Sequence, residues 1–416
     1  MFKAKHVIFL LLVFFMALLL AWRILVTGLG DHYARKADLG DAQAVDSALL
    51  WNSRQPRALY LKGQALMETA PEEASELLRQ AIALDPASAE AMEALAHLML
   101  KRGRPEQADR LMALAVERMP ASKRVRLGAA DYWVERKQLE KAVINWAAAL
   151  ELDPNLGMHI YPLLTHLAEN PVTLPFLQSL LQAPPSWWDD FFAHLAHNAR
   201  RLETVVNVAT LRHASKTPLS SRERALLVER LQRDGQWPEA YLVWINGLTP
   251  EQRRYLGSVF DGGFELAPGE GGFFWHFPDS PSLIIRRKHT YGSEGEKSLH
   301  ILYRGQSAPL KQVYQYLLLG KGQYLLQLRL RVDRLRLPGG LRWVIRCTGN
   351  EDRMLGATPL LVGASDWTSQ QVQFSVPDTP ECRSQLLRLE ISRSGDAPPV
   401  AEGEVWFDRI SIRKLP

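Results

Sequence analysis

The spacing of apolar and polar positions divides the chain into three parts. Residues 7–26 are apolar except for Arg23. In residues 31–254, apolar positions recur with the helical period of about 3.6 residues, which predicts amphipathic helices. In residues 255–416, short runs of period 2 alternate with glycine and proline, which predicts strands. The pattern therefore predicts an α+β multidomain chain, with an N-terminal transmembrane helix in residues 1–30, an α-solenoid and a C-terminal β-sandwich.

The first part is long enough to cross a membrane. A helix needs about 20 apolar residues to span the hydrocarbon core, and residues 7–26 supply them. Arg23 can extend its guanidinium to the lipid headgroups, and Trp22 suits the interface. The alternative is a cleaved signal peptide, since Lys3 and Lys5 precede the apolar run, but no small-x-small cleavage motif follows it. We therefore expect an uncleaved membrane anchor.

A period of 34 residues runs through the second part, because Pro86, Pro120 and Pro154 share that spacing. Six alanines and three bulky residues keep the same phase: Ala74, Ala81, Ala108, Ala115, Ala142 and Ala149, with Leu78, Met112 and Trp146. Small side chains let helix backbones approach closely, and proline ends a helix because it lacks an N–H donor. We predict stacked helical hairpins over residues 53–154, a lead-in helix at 38–52, and a less regular continuation.

The ends of these units, AIALDP, AVERMP and ALELDP, resemble the end of a tetratricopeptide repeat. Gly103 and Ala108 resemble the turn and the small residue in the middle of that repeat. Gly235, Ala240 and Trp244 keep the same spacing in a later, degenerate copy. The resemblance implies that residues 31–254 form a superhelix whose concave side binds protein partners.

The third part predicts a two-sheet jelly roll. Its strand candidates are runs rich in β-branched and aromatic residues, bounded by turn residues. They lie at 282–287, 298–303, 312–319, 323–333, 342–347, 370–376, 386–391 and 404–412. Eight short strands in about 160 residues are typical of a closed sandwich of this kind.

Residues 255–416 resemble the galactose-binding-like jelly-roll group of carbohydrate-binding modules. VFDGGFELAPGEGGFFW, at 259–275, is similar to the opening segment of that group, and VWFDRISI, at 405–412, is similar to its last strand. Three further segments follow in the family's order: 298–301, 313–332 and 367–377. The resemblance implies a polysaccharide-binding domain, although this fold hosts many functions.

The same resemblance implies two candidate sites. Glu265 and Asp408 match residues near a structural calcium ion, which prefers carboxylate oxygens; an acidic turn and an exposed strand residue are the alternative. The candidate glycan contacts are Gln315, Tyr303, Tyr316 and Trp343. Gln315 matches a glutamine of the family's cleft, and the aromatic rings could stack on a pyranose. For Trp343, a place in the core is the alternative.

Three other groups of residues each fit two interpretations. Arg329 and Arg331 could form a basic face for an anionic polysaccharide or lipid headgroups, or an ordinary solvated strand face. Asp190, His194 and His197 share one side of a helix, which suits zinc or plain packing. The two cysteines, Cys347 and Cys382, could form one disulfide or remain two buried thiols.

Composition and missing motifs narrow the function. The chain is 47% hydrophobic and 23% charged, so it can bury sizeable cores. Its net charge of +5 is not concentrated in any segment, so we expect no nucleic-acid partner. The sequence has no phosphate-binding loop, nucleophile elbow, zinc-protease helix or dinucleotide glycine pattern, so we expect no enzyme activity.

These parts together predict a single-pass, membrane-anchored scaffold. The resemblances imply a setting in the inner membrane of a bacterium, in cell-envelope or exopolysaccharide assembly. The repeats would bind a protein partner and the sandwich a glycan. A disulfide would favour the periplasmic side for the soluble part, because such bonds persist in oxidising compartments. Two alternatives are a protein-interaction or chaperone-like module with a structural sandwich, and the accessory part of a glycan-active enzyme.

Overall fold

The computed structural model describes residues 2–392 and 399–416, with side chains from residue 10 onward in those ranges. Within them the chain forms fifteen α-helices followed by nine β-strands, which confirms the predicted fold class. The chain divides into two compact units, Met1–Leu180 with Pro184–Trp188 and Leu181–Ala183 with Asp189–Pro416. The boundary that the sequence pattern places at residue 254 therefore lies inside the second unit.

Nine helices belong to the first unit. They are α1 (Phe2–Asp38), α2 (Ala42–Trp51), α3 (Pro56–Ala65), α4 (Pro71–Leu84), α5 (Ala89–Lys101), α6 (Pro105–Arg118), α7 (Lys123–Glu135), α8 (Leu139–Leu152) and α9 (Gly157–Glu169). α10 (Gln178–Gln182) follows. α3, α4 and α6 each begin with proline, whose fixed φ suits the first helical position and whose missing N–H needs no partner there.

Helix α1 joins the apolar segment to the repeats without a break. Within its part Leu10–Asp38, which is long enough to cross a membrane, an 18-residue window has a mean hydropathy of 2.5. The side chains of Lys3 and Lys5 lie outside the described ones. The last turns of α1 pack on α2. A Cβ on Gly30 would lie 2.8 Å from the Cβ of Asn52, and Ala34 is buried. The end of α1 is thus the first helix of the repeat array.

The phased small residues are the contact points between the repeat helices. All six are fully buried: Ala74, Ala81, Ala108, Ala115, Ala142 and Ala149. Leu78 and Met112 are also fully buried, and α4, α6 and α8 each end two residues before the phased proline. The predicted stack of hairpins over residues 53–154 is confirmed.

The second unit begins with helices. They are α11 (Trp188–Asn198), α12 (Leu202–His213), α13 (Ser221–Arg233), α14 (Trp237–Asn246) and the single turn α15 (Pro250–Arg253). α13 and α14 form the predicted degenerate hairpin. Gly235 ends α13 with a φ of +74°, as Gly103 ends α5 with a φ of +69°, and this left-handed conformation favours glycine. Ala240 and Trp244 are buried, as are Ala108 and Met112 at the corresponding positions.

Two antiparallel sheets complete the second unit. The strands are β1 (Leu283–Lys288), β2 (Ser298–Ser307), β3 (Lys311–Leu317), β4 (Gly322–Arg336), β5 (Leu341–Cys347), β6 (Asn350–Ala357), β7 (Gly363–Val376), β8 (Gln385–Ile391) and β9 (Val400–Lys414). One sheet has the order β1-β2-β9-β4-β7 and the other the order β3-β8-β5-β6. All eight predicted strands are present, and β6 is an additional one. The apolar core lies between the two sheets.

Candidate functional site

The outer face of the four-stranded sheet carries polar and aromatic side chains. Successive residues of a strand point to opposite faces. In β8, Leu387 and Leu389 belong to the core, so Arg388 and Glu390 lie on the outer face. In β3, Tyr314 and Tyr316 lie on that outer face as well, paired with β8 in register. This face holds two adjoining pockets.

The first, which we call the aromatic pocket, has a volume of about 370 Å³. Its lining includes Trp237, His276, Tyr314, Tyr316, Gln232 and Glu229. The rings of His276 and Tyr314 are stacked, with centroids 4.4 Å apart and planes inclined by 2°. The ring of Tyr316 lies 5.3 Å from that of Trp237 and 5.5 Å from that of Tyr314. Such a cluster offers apolar ring faces to a ligand.

These rings favour the uncharged form at neutral pH, and burial reinforces this preference. Burial raises the pKa of Tyr316 to about 12 and raises the pKa of Tyr314 above its ordinary value. It lowers the pKa of His276, which favours the neutral imidazole. The aromatic pocket therefore suits a neutral ligand with an apolar face, such as a pyranose ring.

The second, which we call the charged pocket, has a volume of about 400 Å³. Its lining includes Lys311, Arg342, Arg346, Glu351, Arg388 and Glu390. Arg346 Nη2 and Arg388 Nη2 donate to the two carboxylate oxygens of Glu390, at 2.9 Å and 2.6 Å. Burial would raise the pKa of Glu390, but these hydrogen bonds hold it below its ordinary value. The network is therefore charged at neutral pH and can bond hydroxyl or carboxylate groups.

The Nε of Arg342 in the charged pocket is buried without a hydrogen-bond partner among the described residues. Glu351 lines both pockets and accepts from Lys311 Nζ at 2.7 Å and from Arg388 Nη1 at 3.1 Å. The two pockets therefore form one continuous polar and aromatic surface across the sheet.

The predicted glycan contacts lie in different places. Tyr316 lies in the aromatic pocket, but Tyr303, Gln315 and Trp343 are each at most 2% exposed. The hydroxyl of Tyr303 donates to Gln312 Oε1 at 2.7 Å, inside the fold. A polysaccharide cannot reach these three side chains, which corrects their assignment. Sequence reasoning missed Tyr314, which shares the outer face of β3 with Tyr316 and could have been found by their i, i+2 spacing.

Gln315 has a structural function. Its amide is fully paired with the backbone of Phe260, since Phe260 N–H donates to Gln315 Oε1 and Gln315 Nε2 donates to Phe260 O, both at 2.9 Å. The side chain thus fastens β3 to the segment that follows the helices.

Glu265 and Asp408 both lie close to Gly263. A Cβ on Gly263 would lie 3.8 Å from an oxygen of each carboxylate. Burial raises the pKa of Asp408 to about 6. Backbone N–H groups, however, hold both side chains: Glu294 N–H donates to Asp408 Oδ2 at 2.7 Å, and Glu296 N–H donates to Glu265 Oε1 at 3.0 Å.

This donor set does not complete a calcium site. Calcium takes six to eight oxygen ligands, whereas N–H groups point at these two carboxylates. In the described ranges no cluster of three or more His, Cys, Asp or Glu side chains is placed to hold a metal. Calcium binding remains a proposal that rests on the resemblance alone. If calcium binds here, the Tm of the chain should be higher in calcium than in EGTA, and Asp408→Asn should abolish that difference.

The other candidate groups are engaged in local contacts. Arg329 Nη1 donates to Glu294 Oε1 at 2.9 Å, and Arg331 lies 4.9 Å from the ring centroid of Trp406. On α11, Asp190 pairs with an arginine at 3.2 Å, and a ring nitrogen of His197 lies 2.7 Å from a backbone oxygen. Arg329, Arg331, Asp190 and His197 are therefore each engaged with a neighbouring residue.

A disulfide joins Cys347, at the end of β5, to Cys382. Their Cα atoms are 4.6 Å apart. Next to the bond, Gly349 N–H donates to Glu381 O at 2.9 Å, so the backbone is close on both sides. The bond lies at one end of the four-stranded sheet. The aromatic pocket is close by, since Thr348, next to Cys347, is one of its lining residues.

In the first unit, ion pairs run across the first helices of successive hairpins. Arg57 on α3 bonds Asp38 on α1 at 2.7 Å and Glu90 on α5 at 3.0 Å. Arg124 on α7 bonds Glu90 at 3.0 Å and the hydroxyl of Tyr60 at 2.8 Å. We call this row the ion-pair ladder. It links four hairpins on one side of the array.

Glu93 lies beside the ladder and carries the most perturbed carboxylate of the first unit's described residues. Burial raises its pKa to about 7, although the positive charge of Arg124 opposes the shift. Its Oε2 is buried without a hydrogen-bond partner among the described residues, and a Cβ on Gly128 of α7 would clash with its Oε1. The Glu93 carboxyl therefore fits against α7 without an ion pair of its own among the described residues.

Comparisons with known proteins give a family-model match and several structural similarities. A tetratricopeptide repeat model matches residues 65–130. No curated protein matches. Among solved structures, the chain is similar to MamA at 22% identity, over 32% of this chain and 79% of MamA, with a TM-score of 0.25.

Two carbohydrate-binding modules are also similar to this chain. A CBM4 structure matches at 16% identity, over 39% of this chain and 99% of the module, with a TM-score of 0.28. The CBM22-1 xylan-binding domain from Paenibacillus barcinonensis Xyn10C matches at 18%, over 37% of this chain and 92% of the domain, with a TM-score of 0.27. The chain therefore has a helical repeat region that matches the tetratricopeptide model over residues 65–130, followed by a β-sandwich.

Proposed function

We propose that this protein is a membrane-anchored scaffold that holds a protein partner with its repeats and a polysaccharide with its sandwich, in bacterial cell-envelope or exopolysaccharide assembly. One observation carries the proposal. The outer face of the four-stranded sheet presents an aromatic pocket and a charged pocket side by side, which is the mixture of ring faces and hydrogen-bonding groups that sugars require.

The anchor is supported by the continuity of α1. The helix has 37 residues, which corresponds to about 55 Å, so it can span a bilayer and still extend beyond it. Its extension packs into the array, where Gln55 Nε2 donates to Asp31 Oδ1 at 3.2 Å and Ala34 packs with Ala48 and Ala58. The apolar run and these packed turns belong to one continuous helix, and we infer that α1 is retained as the anchor. The disulfide favours the periplasmic side for both units.

The repeat array supplies the surface for the protein partner. Tetratricopeptide-like arrays present an extended groove to other proteins. Here the ion-pair ladder supplies a row of paired charges, and Glu93 lies beside it. Because Glu93 Oε2 lacks a hydrogen-bond partner among the described residues, a basic side chain of a partner segment is the complement that we infer.

Replacing Glu93 with glutamine is expected to raise the free energy of unfolding at pH 8 by about 1–3 kcal/mol. The folded carboxyl, with a pKa of about 7, binds its proton more tightly than the unfolded one, whose ordinary value is 4.5. The stabilisation that the protonated Glu93 carboxyl gives the wild type is therefore fully present below pH 4.5 and is lost as pH rises through 7.

Urea unfolding at pH 5 and pH 8 measures this effect. Between pH 5 and pH 8, the free energy of unfolding of the wild type should fall further than that of Glu93→Gln. Glu106→Gln, at an exposed position of α6, is the matched control and should behave as the wild type. The same pH dependence in Glu93→Gln and the wild type would show that Glu93 is not the buried acid described above.

The polysaccharide half is tested by affinity electrophoresis of the full chain in detergent, through gels that contain hydroxyethylcellulose, galactomannan or alginate. We expect retardation by at least one of them, and a loss of affinity of about tenfold or more in Tyr314→Ala/Tyr316→Ala. Tyr291→Ala removes a tyrosine that is 93% exposed and should leave retardation unchanged. If none of the three retards the wild type, the polysaccharide half fails.

The same gels separate the two alternative functions. Absence of binding would leave a protein-interaction or chaperone-like module with a structural sandwich. Binding accompanied by release of new reducing ends would instead indicate a glycan-active enzyme. Binding without release agrees with the scaffold.

A further inference from the structure

One wall of the aromatic pocket comes from helices and not from the sandwich. Glu229 and Gln232 lie on α13, and Trp237 begins α14. They line the same cavity as Tyr314 and Tyr316 of β3. The helical hairpin that continues the repeat pattern is therefore part of this surface.

Aromatic packing fixes that wall against the sheet. The ring of Trp244 on α14 lies 5.1 Å from Phe260, 5.3 Å from Phe274 and 5.5 Å from Phe273. A Cβ on Gly272 would lie 2.9 Å from Trp244 Cδ1, so only glycine allows the backbone this close. Since Gln315 of β3 clamps the backbone of Phe260, the hairpin and the strand are held through the same segment.

The wall carries groups that a sugar would satisfy. Gln232 is 9% exposed, yet its Nε2 has no hydrogen-bond partner in the described part of the chain. A buried amide donor is rarely left unpaired unless a ligand or water meets it. Glu229 is exposed at the pocket and can accept from a hydroxyl. Trp237 is partly exposed and presents its ring beside that of Tyr316.

We infer that the hairpin α13–α14 supplies a sugar subsite, in which Trp237 packs on the face of a neutral pyranose, Gln232 Nε2 donates to one of its oxygens and Glu229 accepts from a hydroxyl. This inference rests on the proposed polysaccharide-binding function of the sheet face. A neutral ring is the chemistry favoured here, because the rings of Trp237 and Tyr316 offer apolar faces. The charges at this pocket are of both signs, with Arg233 beside Glu229 and with Glu351 paired to Lys311 and Arg388. The sandwich alone, without the hairpin, would lack all three of these groups.

The test uses the full chain in nanodiscs and three labelled probes: cellohexaose, mannohexaose and xylohexaose. We expect at least one to bind. Gln232→Leu, which keeps the size but removes the donor, should weaken that Kd about five- to tenfold. Trp237→Ala should weaken it about tenfold, and Trp237→Phe should restore most of the loss. Trp51→Ala, at an exposed position of α2, is the control and should leave the Kd unchanged.

Two results would overturn the inference, and they differ. If Gln232→Leu and Trp237→Ala bind within twofold of the wild type while Tyr314→Ala loses binding, the sheet binds sugar and the helical subsite is wrong. If the wild type binds none of the probes, the subsite and the proposed glycan function fall together. Thermal unfolding of each variant, expected within a few degrees of the wild type, separates lost contacts from lost folding.

Discussion

Replacing Trp343 with alanine is expected to lower the free energy of unfolding of the second unit by about 3–5 kcal/mol. Trp343 is fully buried between the two sheets, with its ring 5.3 Å from Phe407 and 5.7 Å from Trp275. The cavity left by the indole cannot be filled without moving both sheets. Trp343→Phe retains most of the apolar volume and should lose only about 1–2 kcal/mol.

Denaturant unfolding of the full chain in detergent measures these losses. Trp367→Ala is the matched control, because Trp367 lies on the outer face of β7 and is partly exposed. It should cost about 1 kcal/mol or less. Equal losses in the two alanine variants would contradict the place of Trp343 in the core, and would reopen its role as a sugar contact.

Removing the disulfide is expected to cost the second unit about 3–4 kcal/mol, because the bond joins residues separated by 35 positions and restricts the unfolded chain. Cys347→Ala/Cys382→Ala should show this loss. Both sulfurs are buried, so part of the loss comes from packing.

Dithiothreitol separates the bond from the packing. It should destabilise the wild type by most of the same amount and leave the double variant unchanged. A wild type whose unfolding does not respond to the reductant would contradict the disulfide. It would also remove the argument that places the second unit in an oxidising compartment.

The repeat helices were predictable because their signals are local. Ala108 lies five residues after Gly103, and Ala240 lies five residues after Gly235. A small side chain where helices touch and a left-handed residue where a helix ends are both dictated by backbone geometry. The glycine and the alanine keep this spacing even in the copy at residues 221–250, which lacks the phased proline.

Strand β6, Asn350–Ala357, could not be predicted in the same way. It is an edge strand whose first five residues are exposed, so no core enforces an alternation of apolar and polar residues. Its pairing with β5 is also irregular after Ile345. Charged residues at such an edge protect it from pairing with other chains, and they remove the strand signal from the sequence.

The candidate site was predicted only in part. Tyr303, Gln315 and Tyr316 are residue types that suit both a core and a sugar site, and the composition of a strand does not say which face is buried. In β3 the register shifts between Lys311 and Tyr314, which breaks simple alternation. Trp237 lies in a helix far from β3 in sequence, so only tertiary packing reveals that it shares the pocket.

The most direct measurement of the central claim is a flotation experiment with the full chain in phosphatidylethanolamine and phosphatidylglycerol vesicles. Fluorescent hydroxyethylcellulose, galactomannan and alginate are added, and the vesicles are floated through a density gradient. The account predicts that the chain floats with the lipid through α1 and carries at least one polysaccharide with it, and that Tyr314→Ala/Tyr316→Ala floats without it. A chain that stays at the bottom of the gradient, or one that floats with none of the three polysaccharides, would contradict the account.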